Sequence, residues 1–168
     1  MWPKPRKVVT MSLKLSAFSQ YIRAGEKIDY VEARLGEAYA IPFTVTDDSS
    51  PPVPINLTGW TFDVKYDVYT ANFTYVNDEL SKVSNFTDQG SAGASYPGLE
   101  IVNIVNANGT GVLKIPAGVN PNPSSLIIAD GDNTMLNIIT ITASFPSVVV
   151  GFNNIRKLLI GLIIRFGG

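Results

Sequence analysis

Residues 38–69, AYAIPFTVTDDSSPPVPINLTGWTFDVKYDVY, decide how this chain is read. In their second half Trp60, Phe62, Val64, Tyr66 and Val68 alternate with Thr61, Asp63, Lys65, Asp67 and Tyr69. A period of two, built from aromatic and β-branched residues, is the mark of a half-buried β-strand. Residues 40–46 read as another strand, with Ile41, Phe43 and Val45 on one side. Between them lies Asp47-Asp48-Ser49-Ser50-Pro51-Pro52, which cannot continue a sheet. Proline has no N–H to donate, and Asp and Ser side chains bond their own backbone. The expectation is a pair of antiparallel strands joined by a polar loop, the second opening at Asn56-Leu57-Thr58-Gly59.

Outward from this pair the same signals recur. Residues 71–76 and 99–105 read as strands, and Asn106-Ala107-Asn108-Gly109-Thr110-Gly111 as a turn, because Asn-Gly supplies the positive φ that tight hairpins need. Residues 112–115 return as a strand and stop at Pro116; residues 117–132 hold one short helical turn near 124–129. Residues 137–145 alternate again, and 147–152 form a connection or a short edge strand. Residues 157–166 form a last strand that is apolar on both faces. Such a strand must be covered twice, by the core on one side and by the N-terminal segment or a neighbouring subunit on the other. Seven or eight strands separated by turn signals predict an all-β fold, an immunoglobulin-like antiparallel β-sandwich with an extended N-terminal arm.

Two segments fall outside that pattern. Residues 1–37 read as a basic arm: through Lys27 the cations Lys4, Arg6, Lys7, Lys14, Arg23 and Lys27 face Glu26 alone, a balance of about +5 against about −6 in the remainder. Within it Leu15, Phe18, Tyr21 and Ile22 form a helical stripe that Ser16 would cap and Gly25 would end. Residues 28–35 look like a short extended lead into residues 38–168, the sandwich. Residues 77–98 are long, polar and rich in Gly, Ser, Asn and Asp, which suggests a contact loop.

Composition narrows the chemistry. The 168 residues suffice for one domain with a hydrophobic core, and the net charge of −1 gives no footprint for nucleic acid. There is no cysteine and no histidine. Disulfides, thiolate metal sites, cysteine nucleophiles and a Ser-His-Asp triad are thereby excluded. Mean hydropathy is +0.16, which fits a filled core or surface buried in an assembly. Residues 1–10 are basic without a following apolar stretch, so no secretory leader is expected, and Met11 is an alternative start. The longest apolar run, residues 158–164, is too short to span a bilayer, and no membrane contact is expected.

The order of elements resembles the N-terminal immunoglobulin-like module of phage baseplate upper proteins and related tail components. In that family an extended "ltftVtd" strand, a short acidic or proline loop and a "dLTGatvtfkvk" strand recur. Phe43-Thr44-Val45-Thr46-Asp47 and the stretch from Asn56-Leu57-Thr58-Gly59 to Lys65 are similar to them. The family's "dg..G.v.l.lp" hairpin resembles Asn108-Gly109-Thr110-Gly111-Val112-Leu113-Lys114-Ile115-Pro116, and its closing strand resembles residues 158–166. The likeness covers residues 38–168 and departs at the 77–98 insert, at the basic arm and in the lack of a following long helix. Leu57 would plug the end of the sandwich, Thr58 would bond the turn and Gly59 would take an unusual φ.

The resemblance implies a structural component of a tailed-phage virion, in the tail or baseplate. It would be assembled in the host cytoplasm, with no catalysis and no cofactor. Its partners would be other phage structural proteins and further copies of itself in a homo-oligomer or symmetric assembly. Head decoration, a neck position, or a carbohydrate- or receptor-binding sandwich are the alternatives. The residues expected to make partner contacts are Trp2, Lys4, Arg6, Lys7 and Lys14 in the arm, Phe86 and Tyr96 in the long loop, and Leu158, Ile160, Leu162 and Ile164 in the last strand.

Other candidates have blander readings. Asp47-Asp48 and Asp130-Gly131-Asp132-Asn133 offer oxygen ligands for Ca²⁺, but lack EF-hand spacing and are ordinary turn formers. Asp63 and Asp67 flank Lys65 on what reads as a solvated strand face rather than a paired-carboxylate site. Trp60 and Tyr66 could line a sugar platform, but an inward strand face makes them core. The sequons at Asn56, Asn72, Asn85 and Asn108 read as chance in a chain rich in Asn and Thr.

Overall fold

A computed structural model of the protein describes residues 11–18, 21–22, 25–34, 37–67, 73–76, 79–82, 86–87, 97–117, 134–146 and 153–165. The described strands are β1 (Met11–Lys14), β2 (Tyr21–Ile22), β3 (Lys27–Ile28), β4 (Tyr30–Arg34), β5 (Tyr39–Thr46), β6 (Thr61–Asp67), β7 (Phe73–Val76), β8 (Glu79–Lys82), β9 (Phe86–Thr87), β10 (Glu100–Val105), β11 (Thr110–Ile115), β12 (Thr134–Pro146) and β13 (Asn153–Arg165). The protein is an all-β sandwich. One four-stranded sheet has the order β1-β5-β11-β10 and the other β4-β13-β12-β6. A two-stranded ladder, β2-β9, and a three-stranded sheet, β3-β8-β7, stand beside them.

Alternation in sequence becomes two facing inner surfaces. Ile41, Phe43 and Val45 of β5 and Leu113 and Ile115 of β11 come from the first sheet. Val64, Ile139, Ile141, Ala143, Leu158, Ile160 and Leu162 come from the second, and all join one buried cluster. Thr61, Asp63 and Lys65 point outward from β6, as the period of two requires.

Several expectations need correcting. Strands β5 and β6 are not a hairpin: β5 pairs with β1 and β11, β6 pairs with β12, and the loop between them crosses from one sheet to the other. Alternation reports which face of a strand is buried, and a hairpin and a sheet switch leave the same pattern. The stripe at Leu15, Phe18, Tyr21 and Ile22 is not a helix; Leu15–Ala17 is a single 3-10 turn and Tyr21–Ile22 a strand. Phe18 is nonetheless buried in the core. The chain before residue 38, read as an arm, supplies edge strands to both sheets: β1 runs parallel to β5, and β4 runs parallel to β13. Met11, Leu13, Val31 and Ala33 all enter the core. The segment read as a long loop contains β8 and β9, which pair with β3 and β2. The helical turn expected near 124–129, and residues 147–152, lie outside the described residues.

The last strand is covered on both faces within the chain itself. Leu158, Ile160 and Leu162 face the core, while Leu159 and Ile163 on the opposite face are equally buried. Ile138 and Thr140 of β12 share that second buried surface, since Ile138 pairs with Gly161 and Thr140 with Leu159. Strand β3 lies against β13, and its sheet carries the buried Leu80. Towards residue 155 the same outer face opens to solvent, and Ile155 is exposed.

Candidate contact surface

The best-defined local geometry is the end of the sandwich where the β5–β6 and β10–β11 connections meet. Asp47 folds the first of these on itself. Its Oδ1 accepts from the Val53 N–H (3.0 Å), the Ser49 N–H (3.1 Å) and the Ser49 hydroxyl. Those bonds hold the Asp47 carboxyl below its ordinary pKa, the Ser49 hydroxyl contributing most. The Asp47 N–H donates to the Val53 carbonyl at 2.9 Å, so the loop is closed from both sides. Ser16 Oγ donates to Asp48 Oδ1 at 2.7 Å, tying the turn after β1 to this loop. Asp47 is therefore engaged as a turn acceptor and Asp48 as the acceptor of a link between two segments. Among the described residues no group of three or more His, Cys, Asp or Glu side chains converges to hold a metal ion. Asp130 and Asp132 lie outside the described residues.

Leu57, Thr58 and Gly59 take the places expected of them. Leu57 is 1 % exposed. Its N–H donates to the Asn106 carbonyl at 2.9 Å, and its own carbonyl accepts from Trp60 N–H at 3.0 Å. Thr58 donates to Asn56 Oδ1 from its hydroxyl (2.6 Å) and its N–H (2.9 Å). Gly59 has φ +84°, the conformation that the third residue of such a turn requires. In the β10–β11 connection Gly109 has φ +66°, and its carbonyl accepts from Val45 N–H at 2.8 Å. A Cβ at Gly109 would stand 2.5 Å from the Ile55 carbonyl oxygen and 2.9 Å from that of Val45, so the two connections are pressed together there.

Beside this closure stands an aromatic cluster. Trp60 stacks on Phe145 with centroids 4.4 Å apart, Phe18 meets Trp60 edge-on at 6.2 Å, and Phe62 lies 5.9 Å from Trp60. The indole is half-buried by these partners, which is a packing role and not that of a bare sugar platform. The side chains of Tyr66 and Tyr96 lie outside the described residues.

The residues expected to touch partners separate into four groups. Lys14 is exposed at the end of edge strand β1. Leu158, Ile160 and Leu162 are 8, 1 and 1 % exposed inside the core, so they offer no surface to a partner; the apolar run is explained by double coverage within the chain. Trp2, Lys4, Arg6, Lys7 and Tyr96 lie outside the described residues. For Phe86, paired with Ile22, and Ile164, paired with Met135 and Ala33, only the backbone is described.

Sequence reasoning did not single out the sheet edges. Strand β10 ends in an irregularity between Val102 and Val105, with Asn103 at φ +55°, and exposes Ile104 and Val105. Strand β6 keeps an unbroken register along β12 from Thr61 to Asp67, and among the described residues pairs with no other strand. Asp63 and Lys65 are exposed along it. The alternation in residues 60–68 showed the outward positions but not that they lie on a sheet's rim. Compared with known protein families and with curated proteins, the chain matches none.

Proposed function

We propose that this chain is a structural component of a tailed-phage virion, in the tail or baseplate, working through protein–protein contacts and not through catalysis. One observation carries the reading. The two motifs behind the resemblance, Leu57-Thr58-Gly59 and Asn108-Gly109-Thr110-Gly111, meet at the same end of the sandwich, where the Asn106 carbonyl accepts from the Leu57 N–H (2.9 Å) and the Gly109 N–H (3.2 Å). The strand order adds support. The neighbour order β1-β5-β11-β10 and β6-β12-β13 is the one an A-B-E-D and C-F-G sandwich would have, with the departures that β1 runs parallel to β5 and that β4 is added parallel to β13. Within this reading the chain is present in multiple copies, contacts other virion proteins, and is assembled in the host cytoplasm.

The experiment is quantitative mass spectrometry of density-purified particles from the virus encoding the chain, with free protein in the lysate as reference. The reading expects its peptides at a fixed ratio to the other structural proteins. Their presence in the lysate but not in purified particles overturns it.

A further inference from the structure

Among the described residues the two main sheets have four outer edges, and they differ in fitness for pairing. Strand β1 offers four residues and β4 five. Strand β10 has six, but its register along β11 breaks between Val102 and Val105, the kind of irregularity that commonly protects an edge against strand addition. Strand β6 offers seven residues in unbroken register. Along its outward face Thr61, Asp63 and Lys65 are exposed.

We propose that β6 is a self-association edge whose occupant is β6 of a second copy of this chain, paired antiparallel about a two-fold axis at Val64. The charge pattern selects this arrangement. In an antiparallel pair centred on residue 64, Asp63 stands opposite the partner's Lys65, and Lys65 opposite the partner's Asp63. Two opposite-charge cross-strand pairs therefore form at once, related by the two-fold. Shifting the register by two residues sets Asp63 opposite the partner's Asp63 or Lys65 opposite the partner's Lys65, so like charges oppose the slipped alternatives. The outward faces of the two sheets become continuous, and the four-stranded sheets join into one of eight. The N–H and C=O groups on the side of β6 away from β12, which pair with no described strand, gain partners, which is the general drive for edge addition. This dimer does not depend on the virion assignment, since it forms or fails in dilute solution.

The test is sedimentation velocity of the full chain across micromolar to sub-millimolar concentrations. The wild type dimerises, more weakly as salt rises. Asp63→Lys and Lys65→Asp each weaken dimerisation about tenfold or more, because the two-fold repeats every change. The double exchange D63K/K65D restores it. Because the natural chain has no cysteine, D63C and K65C chains give a second readout: oxidised together they form a mixed disulfide dimer, and each alone does so far less. A wild type monomeric throughout overturns the proposal. So does a dimer indifferent to the single exchanges, one not recovered by the double exchange, or cysteine chains that cross-link no better mixed than alone.

Discussion

Substituting Gly109 by Ala tests the closure at the end of the sandwich, with Gly59→Ala as its internal control. Both glycines have positive φ, which costs an L-residue about 1–2 kcal/mol. They differ in what the new methyl meets. At Gly59 it approaches Pro146 Cγ at 3.0 Å, a ring carbon that can give way. At Gly109 it meets two backbone carbonyl oxygens at 2.5 and 2.9 Å, those of Ile55 and Val45. Moving them disturbs the Ile55 N–H to Val45 carbonyl bond (2.9 Å) and the Val45 N–H to Gly109 carbonyl bond (2.8 Å). With a net worth of about 0.5–1.5 kcal/mol each, these bonds add about 1–3 kcal/mol. The expected loss is about 2–5 kcal/mol for G109A and about 1–2 kcal/mol for G59A. Urea unfolding followed by tryptophan fluorescence, compared at equal m, measures both. A G109A chain no less stable than G59A would refute the claim that the two connections are pressed together there.

Leu57→Ala removes a side chain that is 1 % exposed and joins the core cluster, and should cost about 2–5 kcal/mol in the same assay. Asp47 is held below its ordinary pKa by the Ser49 hydroxyl and by the Val53 and Ser49 N–H groups. Its ionised form therefore contributes stability fully above the unfolded carboxylate value, about 3.9, and loses it as pH falls through the lower folded value. The stability gap between wild type and Asp47→Asn should be flat above about pH 5 and narrow on acidification below about pH 4; a gap that widens there would contradict this assignment. Lys27 and Glu79 form a 2.8 Å ion pair with both side chains more than half exposed, so Lys27→Ala should change stability by less than about 1 kcal/mol. Deleting residues 1–10 should leave the folded chain intact while lowering its incorporation into particles, measured by quantitative mass spectrometry. A deletion reaching residue 14 is a poorer test, because it also removes β1 with the buried Met11 and Leu13.

The fold class was legible because half-buried strands write their burial into the sequence. Phe62 and Val64 against Asp63 and Lys65, and Ile141 and Ala143 against Thr142 and Ser144, each reveal the core-facing side. Pairing was not legible, because it depends on which strands lie adjacent. The crossing of β5 to β6 between sheets, and the parallel seats of β1 and β4, follow from long-range contacts that no local period encodes. The stripe at Leu15, Phe18, Tyr21 and Ile22 failed because a 3-10 turn between strands can bury Phe18 at the same spacing as a helix. The apolar run at residues 158–164 correctly signalled double coverage, and of the two covers expected it is the N-terminal segment that lies against the strand, through β3. The turn chemistry was the most legible part of the candidate surface. Leu57, Thr58, Gly59 and Gly109 act through side-chain size, an Asx-type bond and positive φ, which are properties of the residues themselves.

The central claim, that this sandwich works as a repeated building block held by contacts in a particle, is tested most directly by electron cryo-microscopy of intact particles. The account predicts density for two facing four-stranded sheets at symmetry-related positions in the tail or baseplate, each copy touching a neighbour. Particles in which every density is accounted for by other chains would contradict it.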